Sequence, residues 1–290
     1  MEAATAGRVP GKRAGRSPAR ETLRWIALIL LTLLYVAPIA WMLLTAFKTE
    51  EESALTPPTL LPSEWSREAL DTIFSTSSQT PVIRWFFNSM IAALGNALLV
   101  LLTAAPAAYA LARMEFRGKR LVFAAIVATL FVPPIIFLAP NYEIVEALGW
   151  LDTLAAVIFP AAASAFGVFF LRQFFLGLPH ELEEAAILDG CGHVRIFWQI
   201  FLPQSGPMLA ACMVLTFTAA WGDFIAPSLL LSDDTTTLAV IMTRGYVNEQ
   251  GFPVQNLLAA GSTMFILPVL LMFLFFQRFF VQGFSTSGLK

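Results

Sequence analysis

Crossing about 30 Å of hydrocarbon takes roughly 20 consecutive helical residues, and six apolar runs of that order divide this chain. They are Trp25–Phe47, Trp85–Leu111, Leu121–Pro140, Leu154–Phe175, Met208–Leu231 and Leu257–Phe280. Backbone inside lipid must satisfy its own hydrogen bonds, so such runs fold as helices and the predicted class is an all-α membrane protein. The first run is too long for the core of a secretory leader and no small-x-small site follows it, so it is read as retained. Only 13% of the 290 residues are charged, about half the usual fraction of a soluble domain. Prolines interrupt several runs (Pro38, Pro106, Pro133 with Pro134, Pro160, Pro268). In a bundle the neighbouring helices satisfy the freed carbonyls, so kinks are expected there.

Lysine and arginine collect on the cytoplasmic side of membrane proteins. With the N-terminus inside, only Lys48, Arg67, Arg84 and Arg244 of the 18 Lys and Arg residues fall on outward segments. The rest fall inside, and six spans then leave both termini in the cytoplasm. Residues 1–24 read as a basic cytoplasmic tail able to touch anionic headgroups, and 25–47 as the first transmembrane helix. Residues 48–84 form an extracytoplasmic loop with one short helix expected near Ser66–Phe74. Residues 85–280 form a five-helix core and 281–290 a cytoplasmic tail. The stretch from Leu231 to Gln255, with its "LSDDTTT", is a second outer loop. Cys191 and Cys212 have no metal or disulfide spacing and read as small packed side chains.

The segment "ELEEAAILDGCGHVRIFWQIFLP", Glu181–Pro203, separates the fourth and fifth runs on the cytoplasmic side. Pro179 suits a first helical turn, and Glu181, Glu183 and Glu184 favour its positive dipole end. Gly190 can end that helix in a left-handed conformation, giving Pro179–Asp189. A second helix, His193–Leu202, sets Val194, Phe197, Ile200 and Phe201 on one apolar face, and Pro203 ends it. Ala185 and Ala186 leave a bare backbone surface that could enter a partner's groove. The competing reading, a helix lying on headgroups, calls for cations on the polar face, and the first helix is acidic.

Glu184-Ala185-Ala186, Asp189-Gly190 and the closing Ile200, Leu202 and Pro203 resemble the "EAA" loop of ABC importer permeases in residue and spacing. "NSM" (88–90), "AAYALAR" (107–113), "FRGKR" (116–120) and "FFLRQFFLGLPHELEEAA" are similar to the carbohydrate-uptake group of that family, of the maltose-type G-like kind. The resemblance implies a six-transmembrane-helix type I ABC importer permease (MetI-like) with both termini cytoplasmic. It implies that 177–206 is a coupling loop, with Glu184, Ala185, Ala186, Asp189, Gly190, Ile200, Leu202 and Pro203 contacting a cytoplasmic ABC ATPase dimer. It further implies a second, non-identical permease subunit and an extracytoplasmic solute-binding protein. The implied solute is a carbohydrate or related compound: a disaccharide, an oligosaccharide or a glycerol-phosphate derivative. The C-terminal "FVQGFSTSGLK" is similar to a tail that reaches the ATPase, which nominates Ser287, Gly288 and Lys290, although the usual Ala-Val before the lysine is missing. In the fifth run the group's Trp-Asn-Asp or Trp-Asn-Glu is replaced by Trp221-Gly222-Asp223.

No GxxxxGK[ST] phosphate loop, HExxH or GxSxG occurs, so this chain is read as a transport subunit and not an enzyme. No cofactor is assigned to it, and ATP and Mg would be used by the partner ATPase. His180 and His193 read as surface residues rather than metal ligands. Intramembrane polar groups are costly and invite a functional reading: Asp223, Asn88 and Trp221 are the candidate pathway-lining residues, with Asn96, Gln173 and Arg172 also considered. Arg172 is expected to snorkel to the interface. The flanking arginines suit membrane orientation, so the partner is the lipid bilayer and no nucleic acid. The alternative is a stand-alone secondary transporter, which calls for broken-helix repeats and ion-coupling carboxylates; Asp223 alone supplies little of that.

Overall fold

A computed structural model of the chain describes residues 18–75, 81–247 and 253–287, with side chains between 21 and 277 of those ranges. The first 17 residues, Gly288 and Lys290 lie outside the described residues, and Ser287 is described as backbone only. Every regular element among the described residues is helical. Helix α1 (Pro18–Thr45) leads through the short α2 (Glu50–Ser53) and α3 (Glu68–Phe74) to α4 (Val82–Arg113). Then come α5 (Lys119–Thr129), α6 (Leu138–Ala147), α7 (Ala155–Ile158), α8 (Ala165–Gly177), α9 (Glu181–Leu188) and α10 (His193–Ile196). The chain continues through a π turn (Phe197–Phe201) and α11 (Leu202–Gln204) into α12 (Gly206–Trp221), α13 (Ile225–Leu230), α14 (Leu238–Arg244) and α15 (Gln255–Ser287).

Three helices, α1, α4 and α15, are long and apolar enough to cross a bilayer unaided. Three further helical pairs qualify only when taken together, with bends of 95° after α5, 43° before α8 and 78° before α12. Counting each bent pair as one crossing gives the six expected from the apolar runs. The continuous spans expected at runs three to five, kinked at the prolines of runs three and four, are corrected to broken ones. Helix α5 has 11 residues, a rise of about 16 Å, and the chain then turns aside at Pro133-Pro134. Two adjacent prolines remove two amide donors, which converts the expected kink into a break. Pro38, Pro106 and Pro268 stay within their helices. The fifth run's helix stops at Trp221, and Asp223 Oδ1 accepts the Ile225 amide at 3.0 Å to start α13 afresh.

Helix α4 is the axis of the packing. Its buried alanines 93, 97, 104, 105, 108 and 112 let other helices approach closely, the usual device for association in lipid. A Cβ on Gly167 of α8 would lie 3.1 Å from both Ala104 Cβ and Val100 Cγ1. Along α4 three cores follow one another. Val82 and Trp85 pack with Ile73, Leu238 and Leu257. Ala93 and Ala97 meet Phe217 and Trp221. Val100 to Ala112 meet Leu171, Phe175, Ile196 and Phe201. The apolar window of α1, by contrast, has none of its residues buried by its own chain.

Candidate functional site

The elbow predicted from sequence forms at the Arg113 end of α4. Helix α9 is shorter than expected, Glu181–Leu188, and Gly190 takes φ +78°, the left-handed turn that separates it from α10. Arg113, with a fully buried side chain, bolts this elbow to α4. Its Nε and Nη2 donate to Phe175 O at 3.0 and 2.6 Å, and Nη2 also donates to Leu178 O. Its Nη1 lies 2.9 Å from His180 Nδ1 and 4.0 Å from Glu183 Oε2. Glu183 Oε1 is 3.7 Å from His193 Nδ1, which lies 3.4 Å from the Tyr109 hydroxyl. The Phe201 ring sits under the guanidinium at 5.1 Å. Charge and carbonyls are thus paired around one cation, as burial of an arginine requires.

Several nominated residues sit where a partner could reach them. Glu184, Ala185, Asp189, Gly190 and Pro203 are exposed, and Ile200 and Leu202 are half-buried. Ala186 is corrected: at 5% exposure it belongs to the chain's own core with Phe175, Ile196 and Phe201. Val194 is corrected in the opposite sense, being 74% exposed. The π turn inserts an extra residue per turn and moves the inward face to Ile196, Phe197 and Phe201. What projects instead is an apolar cap of Ile187, Leu188, Val194 and Trp198, with Leu188 88% exposed. Large apolar side chains left exposed on one short elbow are what an interaction surface would present.

Midway along α4, a cavity of about 780 Å³ opens between α4, α7, α12 and α13, and an adjoining one of about 510 Å³ lies between α6, α7 and α13. Asp223 lines both, at the break between α12 and α13. Asn96, Ser164, Thr216 and Thr237 supply the larger cavity's other polar groups, and Phe166 and Phe224 its rings. The residues lining the two cavities include no Lys, Arg or His. Trp221 does not join Asp223 there: it is 2% exposed, stacked on Phe217 and Phe265, and its Nε1 donates to Phe265 O at 3.0 Å. Asn88 is likewise structural, donating to Thr235 O and Thr236 O at 3.0 and 3.1 Å. Asn96 donates to Ile158 O at 3.1 Å, Gln173 is exposed, and the half-buried Arg172 donates through Nε to Leu111 O. Sequence reasoning missed Ser164, Thr216 and Thr237, which read as ordinary helix or loop residues until the breaks bring them together.

At the opposite end of α4 from Arg113, the "LSDDTTT" loop is clamped from three sides. Trp85 Nε1 donates to Asp233 O at 2.9 Å, Arg84 pairs with Asp234 at 3.2 Å, and Arg244 pairs with Asp233 at 2.7 Å. Asp152 Oδ1 accepts from the Ser232 amide at 2.8 Å and from the Thr235 hydroxyl. Those hydrogen bonds from Ser232 and Thr235 hold the Asp152 carboxyl below the usual range. A second hub forms at Glu52. Burial pushes its carboxyl up, but the Ser63 amide, the Thr59 and Ser63 hydroxyls and the Lys48 charge outweigh that and hold it low.

Residues 101–286 match the family model described as "Binding-protein-dependent transport system inner membrane component". The chain is 33% identical over 280 residues to the arabinooligosaccharides transport system permease protein AraQ of Halalkalibacterium halodurans, covering 94% of this chain and 98% of that protein. It is 33% identical over 254 residues to the diacetylchitobiose uptake system permease protein NgcG of Streptomyces coelicolor, covering 87% and 83%. It is 32% identical over 266 residues to the sn-glycerol-3-phosphate transport system permease protein UgpE of Yersinia pestis, covering 90% and 95%. Its fold matches a chain in the crystal structure of a bacterial ABC transporter involved in the import of the acidic polysaccharide alginate. That match has a TM-score of 0.77 at 21% identity, over 91% of this chain and 99% of that one.

Proposed function

This chain belongs to the family of binding-protein-dependent transport system inner membrane components, as a carbohydrate-uptake ABC permease, and we propose that its α9–α10 elbow is the coupling loop seated in a cytoplasmic ATPase dimer. The observation that carries this is the elbow's two-sidedness. Its inner face is bolted by Arg113 to α4, and its outer face offers Leu188, Val194 and Trp198 with Glu184 and Ala185 beside them. The ATPase hydrolyses ATP with Mg; this chain moves in response. A second, non-identical permease completes the pathway, an extracytoplasmic binding protein delivers the solute to the clamped loop, and the complex resides in the inner membrane with both termini cytoplasmic.

Helix α4 is then the lever. Its 32 residues reach about 48 Å, with the elbow at one end, the cavities at its middle and the 231–237 clamp at the other. ATP binding shifts the elbow, the elbow carries α4, and the cavity exchanges access between the two sides of a two-state bundle. The solute is a carbohydrate without net negative charge. Among the described residues lining the cavities Asp223 is the one carboxylate and there is no Lys, Arg or His, and a like charge about 8 Å from Asp223 would meet roughly 2 kcal/mol of repulsion at an effective dielectric near 20. Sugar hydroxyls can bond Asp223 and the Thr and Ser side chains, and sugar faces can lie on Phe166 or Phe224. A stand-alone secondary transporter is not favoured, since the relatives are ABC permease subunits and the cavity lacks paired ion-coupling carboxylates.

The test is Leu188→Glu, which places a charge at the centre of the apolar cap without touching the chain's own core. Membrane insertion is expected to persist while solute-stimulated ATP hydrolysis falls at least about tenfold, the effect of a lost interface anchor. Uptake and hydrolysis at the unmodified rates would reject the seating of this elbow.

A further inference from the structure

A third cavity, of about 530 Å³, lies beside the Arg113 end of α4 where the chain turns into α5. Lys119, Arg120 and Arg172 line it together with Glu115, Phe116, Gly118 and Phe123. Arg172 is fixed in its wall: Nε donates to Leu111 O at 3.1 Å and the guanidinium lies 3.8 Å over the Phe123 ring, which leaves its terminal nitrogens unbonded among the described residues. Arg120 has no ion-pair partner among the described residues. Lys119 is held by Glu115 at 3.1 Å and by Ala112 O at 3.4 Å. Three cations against one carboxylate therefore face a space large enough for a small ligand. An apolar strip begins at the rim, with Phe116 42%, Leu121 75% and Val122 45% exposed, and no side chain of α5 is buried by the chain.

A cationic pocket that opens onto an unburied apolar helix matches one molecule type: an anion with a hydrocarbon tail. We propose that this cavity holds the phosphodiester headgroup of an anionic glycerophospholipid from the leaflet at the elbow end, with an acyl chain laid along α5. Arg172 forms the rigid rear donor, since its aromatic and carbonyl contacts fix the guanidinium plane. Arg120 forms the front donor and Lys119 adds charge. An acidic protein segment would satisfy the cations but has no apolar part to follow Leu121 and Val122 along α5, as an acyl chain does.

The experiment measures co-purifying and exchanged lipid on the complex isolated through a tag on this chain, in nanodiscs of phosphatidylglycerol and phosphatidylcholine mixed equally. The expected result is enrichment of phosphatidylglycerol around the wild-type complex. Arg120→Gln is expected to lower it several-fold and Arg120→Gln with Arg172→Gln roughly tenfold or more, following the usual attraction per basic residue near anionic lipid. Arg120 is exposed, so its variant tests the site even where the double variant fails to assemble. Equal retention of the two lipids, or retention unchanged by Arg120→Gln, would overturn the proposal. So would displacement by inorganic phosphate, which would mark a soluble-anion site, or capture of the ATPase by a crosslinker at position 120. The readout is lipid and not transport, so its failure leaves the coupling role untouched.

Discussion

Truncating Arg113 would leave the carbonyls of Phe175 and Leu178 without their donor and Glu183, 8% exposed, without its cation. Arg113→Ala is expected to cost about 3 kcal/mol or more, seen as a lower thermal midpoint of the solubilised complex and as loss of solute-stimulated ATP hydrolysis. Asp152 makes a different demand. Its carboxyl is depressed by Ser232 and Thr235, so the contribution of its ionised form is fully present above the unfolded value near 4 and is lost as pH falls through the folded one. The clamp on residues 231–237 is therefore expected to be unchanged from about pH 5 to 8 and to loosen only below about pH 4, as read by hydrogen exchange at Ser232. A weakening already at pH 6 would contradict that. Sequence alone ranked these residues poorly. Arg113 counted only as an orienting charge, because a buried and a snorkelling arginine look the same in a pattern. Asp152 is an acid in a loop until the distant Ser232 and Thr235 meet it.

The elbow is the element on which the proposed coupling turns, and most of its local structure is legible. Three acids at the start of α9, the glycine corner and an aromatic second helix are local signals, and they place the elbow to within two or three residues. Its inner register was not legible, because the π turn at Phe197–Phe201 displaces the face that an α-helical period marks. The breaks after α5 and before α13 were under-read for a related reason: hydropathy is blind to direction, and the third and fifth runs stay apolar across Pro133-Pro134 and Trp221-Gly222. A Cβ added at Gly190 would meet nothing within 4 Å, so space is not the restraint there; the left-handed φ of +78° is. Gly190→Val is expected to cost roughly 1–2 kcal/mol of strain and to re-aim the apolar cap, lowering coupled transport more than membrane level. Equal losses in both would assign the glycine to folding alone.

At the scale of the whole molecule, one long helix joins the three places that the proposed mechanism moves together. The elbow is tied to the last turn of α4 by Arg113, the larger cavity flanks its middle at Asn96 and Val100, and the 231–237 loop is tied to its first turns by Trp85 and Asn88. Close alanine packing against α8 and α12 favours a shift of that assembly as a unit under the proposed mechanism. The number of crossings could be read from six apolar runs, since bilayer thickness sets run length. The lever could not, because no single-sequence signal says that Arg113, Asn96 and Trp85 share a helix with three separate tasks. The most direct measurement is photocrosslinking from a benzophenone amino acid at position 188 in native membranes, with the captured protein identified by mass. The expected result is the ABC ATPase of the same complex, captured with a yield that changes when a non-hydrolysable ATP analogue is added. A chain that transports its solute while position 188 never captures that ATPase, with or without nucleotide, would contradict the account.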